Sequence, residues 1–286
     1  MYIDKYVFSG HESFPCKTLW LKKGFDFVQE KNDWNDLYSV VQLGVGKNMV
    51  TSIRYWMRAF GLINSEGLTD IAHFIFDKNS GVDPFMEDLG TLWILHYQLV
   101  SSCEASLYSL FFLRFQRERL TFDRNHLMAF VKRIMLENGR IKQFNENTIK
   151  KDIGVLLQNY LFSRKTTSIE EYSVLLADLD LIRVSGDEKQ YTFNIEGKRQ
   201  LPLEILLYAI IMEKGDNESV GYDTLQLIGN VFCLNDMELI KMLLELQDKF
   251  SEILRYTDTA GLRQIQFLKR VNSIEVLRYY YRNEEF

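Results

Sequence analysis

Residues 36–60 read DLYSVVQLGVGKNMVTSIRYWMRAF, and this stretch decides the fold. Asp36 to Gln42 reads as a short helix and Leu43 to Gly46 as a glycine turn. Met49, Val50, Ile53, Trp56, Met57 and Phe60 recur at helical spacing, so Asn48 to Phe60 is expected to form a second helix that buries them on one face. The opposite face then offers Thr51, Arg54, Tyr55 and Arg58 to solvent, with Lys47 and Asn48 at the positive end of the helix dipole. Beyond Gly61 a brief extended Leu62-Ile63 and a polar turn lead to Thr69, which is expected to cap a third helix from Asp70 to Phe76. Short helix, tight turn and amphipathic helix are the grammar of a helix-turn-helix.

The grammar recurs. Arg124 to Glu137 and Asn147 to Leu161 are apolar-periodic helices separated at Asn138-Gly139, and the second exposes Lys150, Lys151 and Gln158. A short helix from Ser173 to Leu181 follows, then strands Ile182 to Val184 and Tyr191 to Ile195 around Ser185-Gly186-Asp187-Glu188, a hairpin that reads as a wing. A third copy runs through helices at Leu203 to Met212, Thr224 to Gly229 and Asn235 to Phe250, the last opened by an Asn235/Glu238 capping box. Its hairpin is Ile253 to Thr257 and Leu262 to Leu268, turned by Thr259-Ala260-Gly261. The fold class expected is α+β, predominantly helical, built of tandem winged-helix-like (helix-turn-helix) units with short β-hairpin wings. The domains expected are 1–113, 114–200 and 201–286, in that order an N-terminal helix-turn-helix domain, a central winged-helix-like domain and an acidic C-terminal one.

A chain of 286 residues, 47% hydrophobic and 26% charged, folds around real cores and is neither disordered nor low in complexity. Its longest apolar stretches, Leu89 to Val100 and Leu203 to Met212, are interrupted by His96, Gln98 and Glu204 and fall short of the ~20 residues a bilayer crossing needs. Asp4 and Lys5 stand where a secretory leader would be apolar, so a cytoplasmic protein is expected. Cys16, Cys103 and Cys233, an odd number and at least 87 residues apart, suit neither a disulfide framework nor a zinc site and read as reduced core thiols.

The net charge of −5 conceals a pattern. Residues 114–165 carry a net +7, while 76–113 carry −4 and 166–286 carry −8. The central basic stretch suits a polyanion, or else a solvated helical face paired with the acidic C-terminal third; the exposed Glu238, Lys241, Glu245, Asp248 and Glu252 of the third copy would repel phosphates and suit protein contact.

Chemistry-bearing motifs are few. Gly44-Val45-Gly46-Lys47-Asn48 lacks the glycine at 41 and the hydroxyl residue at 48 of a phosphate loop. His73 and His96 lie in apolar runs and read as core histidines. Asp187 with Glu196-Gly197-Lys198 has the order of a restriction-type, metal-dependent nuclease, although so short a motif arises easily by chance. More distinctive is Phe8-Ser9-Gly10-His11-Glu12-Ser13-Phe14. His11 is a candidate general acid or base there, and Glu12 a candidate to orient it or to bind a metal. The alternative is that the pair secures the N-terminal arm through buried hydrogen bonds, since adjacent residues on an extended chain face opposite ways.

Phe8 to Phe14, Trp20-Leu21-Lys22-Lys23-Gly24, Leu43 to Val50, Leu68-Thr69 and Asp83-Pro84-Phe85 together resemble the motifs of a bacterial family of unknown function. Its members are similar to SspB, encoded beside a cysteine desulfurase, an ATPase and a sulfurtransferase in DNA phosphorothioation systems. That resemblance implies a DNA-binding component of sulfur modification and phage defence, nicking DNA with Mg or Mn if catalytic; it assigns no catalytic residues, and His11 and Glu12 are the catalytic candidates that the residues themselves offer. The DNA-binding candidates are Lys47, Asn48, Thr51, Arg54, Tyr55, Arg58, Lys150 and Lys151. The rivals are a non-catalytic winged-helix regulator or adaptor, whose acidic C-terminal third holds other proteins, and a purely structural scaffold.

Overall fold

The structure, a computed structural model, describes residues 6–162, 174–186, 189–196, 200–259 and 261–282. It is helical with two small antiparallel sheets, an α+β architecture, and divides into two compact units, Tyr2–Asn194 and Ile195–Phe286. The boundary expected at 113/114 falls inside a helical run that crosses it, so the segments on either side share one unit.

In the first unit α2 (Ser39–Leu43) and α3 (Lys47–Ala59) are the helix, turn and helix read from residues 36–60, and α1 (Trp20–Gln29), a helix that reading did not include, packs against both. Gly44 closes α2 in the left-handed region (φ 63°), a conformation that costs glycine nothing, and Gly46 enters α3 extended. Val50, Ile53, Trp56, Met57 and Phe60 are buried as their spacing requires, each contributing about 1.5–3 kcal/mol, and Met49 is half-buried. α1 and α3 approach closely because Gly24 has no side chain: a Cβ there would lie 2.7 Å from the Met57 side chain. After a bridge between Ile63 and Leu68 comes α4 (Asp70–Phe76), with the bounds expected but without the expected cap. The Thr69 hydroxyl instead donates to the Gly61 carbonyl at 2.9 Å, closing the preceding loop.

α5 (Leu89–Ser101) is buried nearly all round, as its continuous apolar sequence demands. Asp83 positions its start by accepting hydrogen bonds from the Glu87 and Asp88 amides and the Thr91 hydroxyl. His96 is fully buried with Nδ1 2.8 Å from the Tyr160 hydroxyl, a core histidine; His73 is half-buried, edge-on to Phe25. A second helical run follows without a break through α6 (Ser106–Leu110), a π turn (Phe111–Phe115) and α7 (Gln116–Glu118). The π turn sets Phe111, Phe112 and Phe115 into one aromatic cluster with Phe122, Phe130 and Phe193. Next come β1 (Thr121–Phe122), α8 (Arg124–Glu137) and α9 (Glu146–Tyr160). The short helix expected from Ser173 to Leu181 is absent over its described part: Val174 bridges Lys17, and only Ala177–Leu179 makes a 3₁₀ turn. β2 (Ile182–Val184) and β3 (Tyr191–Phe193) complete a sheet of order β1-β3-β2; Asp187 and Glu188, in their expected turn, lie outside the described residues.

The second unit repeats that order: α10 (Leu203–Lys214), β4 (Ser219–Gly221), α11 (Tyr222–Val231), α12 (Asp236–Lys249), β5 (Leu254–Thr259) and β6 (Leu262–Phe267). Its sheet has the order β4-β6-β5, the arrangement of the first sheet again. Asn235 caps α12 by accepting from the Glu238 amide at 2.9 Å, and α13 (Ser273–Arg282) packs on α10. Cys16 and Cys233 are buried free thiols as expected, whereas the free Cys103 is only half-buried, and no helix among the described residues is long and apolar enough to cross a membrane.

Candidate functional site

The Phe8–Phe14 segment is a strap held between two helices. On one side the Ser52 hydroxyl and Trp56 Nε1 of α3 donate to the carbonyls of His11 and Phe14, both at 3.1 Å. On the other, Asp152 of α9 accepts the Ser9 amide at 2.9 Å and lies 2.9 Å from His11 Nε2, while Asn159 accepts the Cys16 amide at 2.9 Å. Ser9, Glu12 and Ser13 have positive φ, between 47° and 69°, strain that the surrounding hydrogen bonds must hold, and Gly10 lies at 101°. Gly10 is obligatory, since a Cβ would meet Tyr55 at 2.6 Å.

His11 is 4% exposed and both its ring nitrogens are engaged. Nδ1 accepts the Ser13 amide at 3.0 Å, so in the neutral ring the proton sits on Nε2 and is donated to Asp152. The imidazole stacks on Trp56 at 6.2 Å and meets Tyr55 edge-on at 5.7 Å. Burial, with Asp152 and Glu104 nearby, pushes the Tyr55 hydroxyl well above the ordinary tyrosine range. Glu12 faces the other way and is exposed, so the two adjacent candidates do not cooperate directly. Asp152, which sequence reasoning missed, is the actual partner, 141 residues away.

A depression of about 500 Å³ opens beside the strap, lined by Ser9, Glu12, Ser13, Thr148, Lys151 and Asp152. Among the described residues no three His, Cys, Asp or Glu side chains gather as metal ligands. Glu12 and Asp152 line the depression together, but both Asp152 oxygens take hydrogen bonds from the strap, so these residues do not fit a divalent-ion cage. Of the restriction-type motif, Glu196 is exposed, and Asp187, Gly197 and Lys198 lie outside the described residues.

The basic candidates separate. Lys47, Asn48, Thr51 and Arg58 are exposed along α3. Arg54 is half-buried, with Nη1 3.4 Å from Asn35 Oδ1 and Nε buried without a hydrogen-bond partner among the described residues; no described carboxylate pairs with it or with Arg58. Tyr55 packs on Gly10 and His11 and so serves the strap instead of facing outward. On α9, Lys150 and Lys151 are exposed, with no ion-pair partner among the described residues, beside the outward Asn147 and Gln158. Arg133 of the basic stretch is held by Glu118 and Glu137, carboxylates of the same stretch and not of the acidic C-terminal third.

The strap and its anchors coincide with the most distinctive sequence motif, and a family model described as a protein of unknown function (DUF4007) matches residues 8–281. The chain belongs to this family. The DUF4007 chain is similar to two solved structures, an SspB crystal structure and a magnesium ion-bound SspB crystal structure. Each has a TM-score of 0.84 at 25% identity, covering 98% of this chain and 89% of the other. No curated protein matches the DUF4007 chain significantly.

Proposed function

We propose that this chain is a DNA-engaging component of a phosphorothioation-type DNA modification and defence system. The observation that carries the proposal is its likeness to SspB, at a TM-score of 0.84 over 98% of the chain. Support of a different kind comes from topology. Residues 106–193 of the first unit and 203–267 of the second each run helix, strand, helix, helix, hairpin, and in each the first strand pairs with the last, the order of a winged helix. On that reading α9 and α12 stand where such units carry the helix that enters DNA. α9 offers Asn147, Lys150, Lys151 and Gln158, whereas α12 offers Asp236, Glu245 and Asp248 beside an 82% exposed Met237. We therefore assign α9 to DNA and α12 to other proteins of the system. Lys47, Asn48, Thr51 and Arg58 of α3 are further candidates for phosphate contact.

Engagement without cutting is the second reading, and the doubly bonded His11 favours it: an imidazole with both nitrogens occupied is poorly placed to take a proton from water. Incubating the protein with supercoiled plasmid, with and without magnesium or manganese, separates the two. Retarded, intact plasmid is the outcome expected of an adaptor. Nicked circles that vanish with chelator and with His11→Ala would establish the nickase. Absence of any plasmid or duplex binding at low salt would refute both.

A further inference from the structure

Glycine in a helix interior costs about 1 kcal/mol relative to alanine, so each such residue needs a reason. Two have one within the fold. A Cβ at Gly24 of α1 would strike Met57 at 2.7 Å, and one at Gly229 of α11 would crowd Leu239 at 3.1 Å. Gly154, in the middle of α9, has none among the described residues: a Cβ there would meet none of their atoms within 4 Å, and its φ is not in the left-handed region.

Its position supplies the reason. Asn147, Lys150, Lys151, Gly154 and Gln158 fall at i, i+3, i+4, i+7 and i+11, one stripe of the helix, while Ile149, Ile153, Leu156, Leu157 and Tyr160 are buried on the other. The stripe is polar and cationic; Asp152, on the same helix, is turned inward and bonded to the strap. A missing side chain in the middle of such a stripe leaves a notch in which the helix backbone is half-exposed between the outward Lys151 and Gln158. We infer that Gly154 is the point of closest approach between α9 and duplex DNA, the notch admitting a sugar–phosphate strand or groove wall against the helix while Lys150 and Lys151 hold phosphates on one side and Gln158 contacts it on the other. This rests on the DNA-binding reading above, and the charge of the stripe selects a polyanion over an apolar or cationic partner.

The full-length protein, its Gly154→Ala and Gly154→Leu variants and a Lys150→Ala/Lys151→Ala double variant are titrated against a fluorescein-labelled duplex, and each is melted in its absence. Filling an open helical site raises the Tm by about 2 °C in Gly154→Ala. The same substitution weakens duplex binding about threefold, and Gly154→Leu weakens it tenfold or more: a protein no less stable that binds worse. If Gly154→Leu binds as the wild type does while the lysine variant is weakened, DNA binding stands and the close approach is wrong. If the wild type itself does not bind, both fall.

Discussion

Asp152 is a charged residue on a helix that joins two distant parts of the chain by accepting the Ser9 amide and, from His11, the Nε2 proton. The direction of that second bond has a testable consequence. Asparagine at 152 can still accept the Ser9 amide, but its amide nitrogen then opposes another donor, and His11 cannot change tautomer without breaking the Ser13 bond. Asp152→Asn is therefore expected to cost about 1–3 kcal/mol, nearly as much as Asp152→Ala. Urea unfolding measures both, and an asparagine variant as stable as the parent would show the tautomer to be wrong. Half of this pair was legible in the sequence. His11 stood out beside a glycine whose φ of 101° and contact with Tyr55 give it a physical purpose. Asp152 gave no signal, because its neighbours Lys150 and Lys151 mark the outward face of the same helix and only the fold turns it inward.

Among elements, the helices were legible because the apolar spacing of α3, α8, α9 and α12 matches what is buried. β1 and β4 were not: two or three residues are too short to show alternation, and each exists only through its partner, β3 or β6. The face of α3 illustrates the limit of periodicity. Spacing put Tyr55 outward with Thr51 and Arg58, yet the strap lies over it, a contact from outside the helix that no helical pattern can show. α9 and α3 thus make different predictions. Replacing Lys150 and Lys151 with alanine should weaken duplex binding and lower the slope of log K against log salt by about two. Replacing Arg54 and Arg58 should lower it by one or less, since Arg54 is half-buried against Asn35. Salt titration of both variants decides between the helices; the larger loss from the α3 pair would move the interface there.

At the scale of the molecule, the compositional shift at 113/114 falls inside one compact unit. Composition changes there while the helical run from Ser106 to Glu118 does not stop. The second unit has its own core, with Ile205, Leu206, Leu225, Ile228, Leu243, Leu246, Leu254 and Ile265 all fully buried. Expressed alone, residues 195–286 should melt in one cooperative transition by circular dichroism; a gradual, structureless melt would tie this core to the first unit. Within the first unit the strap has a mechanical meaning. It is a short tie-rod bolted at Ser52 and Trp56 to one helix and at Asp152 and Asn159 to another, with little slack in its left-handed bends. A displacement of α9 by whatever it grips cannot stay local: it must either pull α3 along or break buried bonds.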